Sequence, residues 1–218
     1  MTPTEFVLPV GHYLGRYHPQ RHAPPRYHKV RLGSDLLRLS DDAFTVWVLS
    51  HGVPHRSAVE PWTRLAVLEA AGQLADPERQ FNALVRDGLV AEGASGTPDA
   101  IRFARNYRIR PLMTGLGNTA REPTRFGIGV IGRPTAVTVD LLGFELWQWG
   151  RLDQNLWQTA HRLRSVQSPD SPGWIDPEQM LTEVLRRLPV LLGHNAVYLD
   201  RAQKPHHDPP KGTRPTDE

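Results

Sequence analysis

The chain has 218 residues, a formal net charge of +3 and no cysteine, which excludes disulfides, thiolate catalysis and cysteine-held zinc or iron–sulfur sites. No apolar run approaches the roughly 20 residues needed to cross a bilayer, and the start MTPTEFVLPVGHYLG lacks the pattern of a signal peptide. A cytoplasmic protein without membrane contact is expected, and a pI near 9.5, dominated by arginine, suits acidic partners.

In chain order, residues 1–26 contain HPQRHAPPRYH and read as an N-terminal arm. His12, His18 and His22 cluster there with His28 just after it, and His206-His207-Asp208 stand near the other end. HPQRH has a helical i, i+4 spacing, but Pro19 opposes a helix, so no metal site is expected. HKVRLGSDLLRLS reads as a hairpin turning at Gly33-Ser34-Asp35. Ser40 or Asp41 then caps a helix carrying Phe44, Trp47 and Val48, which His51-Gly52 ends. A second helix is expected over about 61–71, with Trp62, Leu65 and Leu68 on one side. Asp76 caps a third, with Pro77 at its first position and Glu78 in its first turn, and Gly88 stops it. LVAEG and AIRFARNYRIRP bracket ASGTPD as the two strands of a wing. This first module covers 27–112, and 113–124 reads as a linker.

A second module, 125–201, follows the same order. A hairpin is expected over about 125–139, then helices over 140–149, 155–166 and 176–187. VLLGHNAVYLD reads as a tight closing hairpin at Gly193-His194-Asn195. Residues 202–218 are polar and proline-rich and read as a disordered tail.

The two modules look like one written twice. Asp76-Pro77-Glu78 recurs as Asp176-Pro177-Glu178, and in the same register Phe44 lies over Phe144 and Trp47 over Trp147. Glycines precede each copy, in VGHYLG and TGLGN, and Trp62 is matched to Trp157. The expected fold class is α+β, two tandem modules from an internal duplication. Strand hairpin, three helices and terminal hairpin resemble a winged helix–turn–helix, as does the run FNALVRDGLVAEG.

In that resemblance the third helix enters the major groove and the wing touches phosphate. Arg79, Asn82 and Arg86 share one face of the third helix, where arginine can pair with guanine and asparagine with adenine. Arg102, Arg105, Arg108 and Arg110 form the basic wing. The second copy offers Gln179, Glu183, Arg186 and Arg187, and Glu183 repels phosphate. Of its tryptophans, Trp147 and Trp157 suit a core, and Trp149 and Trp174 suit an interface.

No nucleophile elbow, P-loop, dinucleotide fingerprint or HExxH is present, so no enzyme, catalytic residue or cofactor is expected. LLRLSDDAFTVWVLSHG also resembles the small peptide-chaperone family typified by the carrier of the pyrroloquinoline-quinone precursor, with His51-Gly52 where that family has Asp-Gly. That resemblance implies a peptide laid along a strand edge. Two functions follow. One is a DNA-binding transcriptional regulator, its first module on DNA and its second structural or used for assembly. The other is a non-enzymatic adaptor that presents a peptide or protein to a modifying enzyme. The expected partners are DNA, a protein or peptide, or a second copy of the chain.

Overall fold

Each group of helices begins at a side chain that accepts a backbone N–H. Ser40 caps α1 (Asp41–Leu49), Thr63 caps α2 (Arg64–Ala70) and Asp76 caps α3 (Pro77–Arg86). Asp140 caps α5 (Leu141–Trp149), and Asp176 forms a capping box with Gln179 at the start of α7 (Pro177–Gly193). Between them lie α4 (Pro98–Asn106) and α6 (Leu156–Ser165). The computed structural model describes residues 4–53, 60–165 and 175–203, a mixed α+β arrangement.

The strands are β1 (Glu5–Pro9), β2 (His12–Tyr17), β3 (Tyr27–Leu32), β4 (Asp35–Leu39), β5 (Val90–Ala94), β6 (Tyr107–Pro111), β7 (Thr114–Gly117), β8 (Phe126–Gly129), β9 (Thr135–Val139) and β10 (Val197–Arg201). All pairings are antiparallel: β1 with β5, β6 with β10, and two sheets in the orders β2-β3-β4 and β7-β8-β9. The same order of elements thus occurs from β1 to β5 and again from β6 to β10, with α4 between.

Backbone bonds recur with the elements. Val10 N donates to Leu89 O at 2.8 Å, and Leu112 N to Ala196 O at 2.9 Å. Ser95 N donates to Thr4 O, and Ala202 N to Asn106 O. Each of the two three-stranded sheets has a register shift on its first strand, between Tyr13 and Gly15 and between Gly115 and Gly117, and the second sheet has another between Ile128 and Gly129. After the third helix of each half, one residue takes positive φ, Gly88 at 75° and Asn195 at 53°. The halves differ in length there: α3 has 10 residues and α7 has 17.

Trp47 is buried and donates its indole N–H to Val10 O at 3.0 Å, tying α1 to the start of β2. Trp147 is only half-buried, and its indole nitrogen is buried without a partner. Trp62 precedes α2 whereas Trp157 lies inside α6, so these two do not correspond. Trp149 is exposed, and Trp174 falls outside the described residues.

Four expectations are corrected. The arm contains β1 and β2, because Phe6, Val7 and Leu8 bury against the core and pair with β5. Of the second wing strand, 100–106 belong instead to α4, while 107–111 are strand, β6, paired with β10 rather than with β5. Pro98 and Asp99 start that helix, and Ala100, Phe103 and Ala104 bury at helical spacing. The linker contains β7. The closing hairpin is absent: Leu188, Leu191 and Leu192 continue the buried stripe of α7 through Pro189, and β10 pairs with β6. Of the expected disordered tail, 204–218 lie outside the described residues.

Close packing makes one glycine testable. A Cβ at Gly150 would fall 2.1 Å from Ile109 Cγ2 and 2.7 Å from the Leu146 carbonyl oxygen. Gly150→Ala is expected to cost about 1–3 kcal/mol, read as a lower urea midpoint; an unchanged midpoint contradicts the packing.

Candidate nucleic-acid interface

The α3 face expected to read bases is latched. Arg64 Nη2 donates to Asn82 Oδ1 at 2.6 Å, and the same guanidinium lies 3.3 Å from Glu78 and 3.5 Å from Glu92. It also stacks 4.8 Å over the Phe81 ring. Arg79 and Arg86 are exposed, beside Asp76 and Asp87 respectively. Such exposed pairs hold weakly, so both arginines stay reachable. Yet the surface carries Asp76, Glu78, Asp87 and Glu92 around them, which opposes phosphate.

The wing arginines do not converge as a wing. Arg102 and Arg105 sit on α4, the first paired with Asp99, the second 5.6 Å over the Trp157 ring. Arg108 and Arg110 sit on β6. Arg108 Nη1 donates to Gln203 Oε1 at 2.8 Å, and Arg110 lies opposite Tyr198 in the ladder.

A different surface gathers charge. In β3 every second residue is buried: His28, Val30 and Leu32 point inward. The intervening residues and their cross-strand partners therefore point outward. The outward positions are His12, Gly15 and Tyr17 on β2, Tyr27, Lys29 and Arg31 on β3, and Leu36 and Arg38 on β4. None is acidic. Tyr17 and Tyr27 stack with centroids 5.0 Å apart. The Lys29 ammonium lies 4.5 Å over Tyr17, and the Arg38 guanidinium 4.8 Å over Tyr27. Arg31 is fixed at one end by donating to Tyr198 Oη at 2.9 Å and Gly33 O at 3.1 Å. The alternation in YHKVRL and DLLRL was readable as strand, but the meeting of these side chains required the pairing register.

The second sheet supplies a comparison within the molecule. Its outward positions are Thr114, Gly117, Gly127, Gly129, Thr135 and Thr138. In register, Gly127 stands where β3 has Lys29, Gly129 where it has Arg31, and Thr138 where β4 has Arg38. A Cβ at Gly129 would come 3.2 Å from Leu116 Cδ1, so the glycine leaves room for that side chain. The fold therefore does not require cations at these places.

The inward sides also differ. Buried His28 bonds Tyr13 Oη through Nδ1 at 3.0 Å and Asp41 through Nε2 at 2.9 Å, and its ring stacks 3.7 Å from Phe44. Asp41 accepts there, so Nε2 donates. Phe126 takes the His28 place against Phe144, and Gly115 takes the Tyr13 place under Trp147.

Two clefts flank these elements. One, about 380 Å³, is lined by His12, Tyr13, Phe44, Trp47, His51 and Tyr198. His51 Nδ1 donates to Trp47 O and Val48 O, at 3.0 and 3.2 Å, and burial pushes the pKa of its imidazole down to about 4. The other, about 610 Å³, lies between β1 and α7. At its wall the Arg187 guanidinium grips Asp140 and holds that carboxyl below its usual range. Among the described residues no three His, Asp or Glu side chains group to hold a metal ion. Comparison with protein-family profiles, curated proteins and solved structures gave no match.

His51 gives stability a pH dependence. Its folded pKa lies below the ordinary 6.5, so the unfolded chain takes up a proton that the folded chain does not. Stability should fall as pH drops from about 6.5 toward about 4, by on the order of 2–3 kcal/mol. The difference in urea midpoint between pH 7 and pH 4.5 should shrink in His51→Gln; an equal difference in both proteins contradicts the assignment.

Proposed function

We propose that the chain is a duplicated pair of winged-helix-like modules that binds nucleic acid without catalysing a reaction. The first half is the reader and the second its support. The duplication rests on the recurring element order, the paired backbone bonds and the two matching bulges. The function rests on one observation: Lys29, Arg31 and Arg38 stand on the outward sheet face where the second half has Gly127, Gly129 and Thr138. Three cations gathered on outward positions that hold no carboxylate of their own, only Arg31 lying near one (buried Asp200, 3.7 Å), and not required by the fold, suit a polyanion. A DNA-binding regulator fits this reading, with its binding surface moved from the wing and α3 to the sheet.

The adaptor reading also has an observation in its favour. β4 is the last strand of its sheet, and Leu36 on it is 52% exposed. An edge of this kind can accept an extended peptide.

Labelled DNA tests the first reading. Lys29→Ala with Arg38→Ala should weaken binding by about tenfold and flatten the salt dependence by roughly one unit for each phosphate left without its cation. Arg102→Ala with Arg105→Ala should leave binding nearly unchanged. Absence of binding to both DNA and RNA at low salt by the parent protein contradicts the proposal and leaves the peptide edge as the better account.

A further inference from the structure

We infer that the outward face of β2–β3–β4 takes a single strand, with bases stacked on Tyr17 and Tyr27 and phosphates held by Lys29, Arg31 and Arg38. The inference rests on the nucleic-acid reading and adds the form of the ligand.

A duplex hides its base faces and presents phosphate ridges around grooves. Reading it in the major groove takes a protruding helix or a two-stranded ribbon. This face has neither. It is the outer side of a three-stranded sheet, and the third helix of the first half has a carboxylate beside each of its exposed arginines, Asp76 by Arg79 and Asp87 by Arg86. A single strand has free base faces, and aromatic side chains on a cationic surface are the usual platform for them.

The tyrosines are placed for that use. Both residues are partly buried, and their rings stack against each other at 5.0 Å. Each also carries one cation, Lys29 on Tyr17 and Arg38 on Tyr27. Such pairs at exposed sites are worth only about 0.5–1 kcal/mol. A phosphate can therefore draw Lys29 or Arg38 aside, and the uncovered ring can receive a base. Lys29 and Arg31, two residues apart on one strand, stand about 7 Å from each other along it, a spacing close to that of phosphates in an extended strand. Arg31 is anchored at Tyr198, so the row of charge ends where the two halves meet.

The tyrosines, like the cations, are not demanded by the fold. In register, the second sheet has Arg125 before β8 where the first has Tyr27, and no aromatic residue among its outward positions.

The test measures fluorescence anisotropy of labelled twelve-nucleotide oligo(dT) and oligo(U), and of the oligo(dT)·oligo(dA) duplex. Single strands should bind about tenfold or more tighter than the duplex. Tyr17→Leu with Tyr27→Leu should weaken single-strand binding by about tenfold or more, with the salt slope kept. A thermal melt confirms that the variant folds, and the single variants serve if the pair does not. Tighter binding of oligo(dT) or of oligo(U) then identifies the strand as DNA or RNA. Equal or tighter duplex binding overturns this inference and leaves the nucleic-acid reading standing. Unchanged single-strand affinity in a folded tyrosine variant overturns the stacking platform. Displacement of the oligonucleotide by oligoglutamate of equal charge overturns it in favour of an acidic peptide. Binding to none of the three nucleic acids overturns both readings.

Discussion

The antiparallel ladder between the first and last strand of each half is the constraint on which the rest of the structure depends. β1 and β5 are far apart in sequence, and so are β6 and β10, yet each pair closes its half around the three helices. Closing a long loop costs entropy that only the buried contacts can offset. Phe6, Val7, Leu8 and Val90 supply them in the first half, and Ile109, Val197 and Leu199 in the second. Once the ladder is formed, the next strand must leave at a fixed place. Val10 and Leu112 hold that place by bonding Leu89 and Ala196. The three-stranded sheets then hang from these points, and one side of each must face outward. What a half displays to a partner is therefore set by which residues occupy the outward positions, with little effect on its packing.

On this frame the two halves use their freedom differently. In the first, the buried side of the sheet holds a polar chain, Tyr13–His28–Asp41, and the outer side holds cations and tyrosines. A buried histidine needs both nitrogens satisfied, and Tyr13 and Asp41 do so. In the second half, Phe126 and Gly115 replace that chain by apolar packing, and glycine and threonine line the outer side. α7 is longer than α3 and richer in buried leucine. Asp200 joins the halves: it is buried, accepts from Gly33 N at 2.7 Å and lies 3.7 Å from Arg31.

Local chemistry was legible in the sequence, and distant pairing was not. Asp76-Pro77 and Asp176-Pro177 announce helix starts, and the structure places both there. Pro98-Asp99 announces one as well. There the arginine-rich run after it suggests a wing, although Ala100, Phe103 and Ala104 already have helical spacing. Pro189 suggests a helix end, but the buried stripe through Leu188, Leu191 and Leu192 prevails over the missing hydrogen bond. The partner of Asn82 was hidden for a different reason. Asn82 and Arg64 are eighteen residues apart and on different helices, so their bond could not be read from α3 alone. The sheet face escaped the sequence because Tyr17, Lys29 and Arg38 lie on three strands, and only the register brings them together.

Hydrogen–deuterium exchange with and without oligo(dT) reports on both sheets in one experiment. Exchange should slow in residues 12–17 and 27–38 and stay unchanged in 114–117 and 126–138. Protection of both sheets alike, or protection confined to residues 77–86, would contradict the assignment of the first sheet as the binding face.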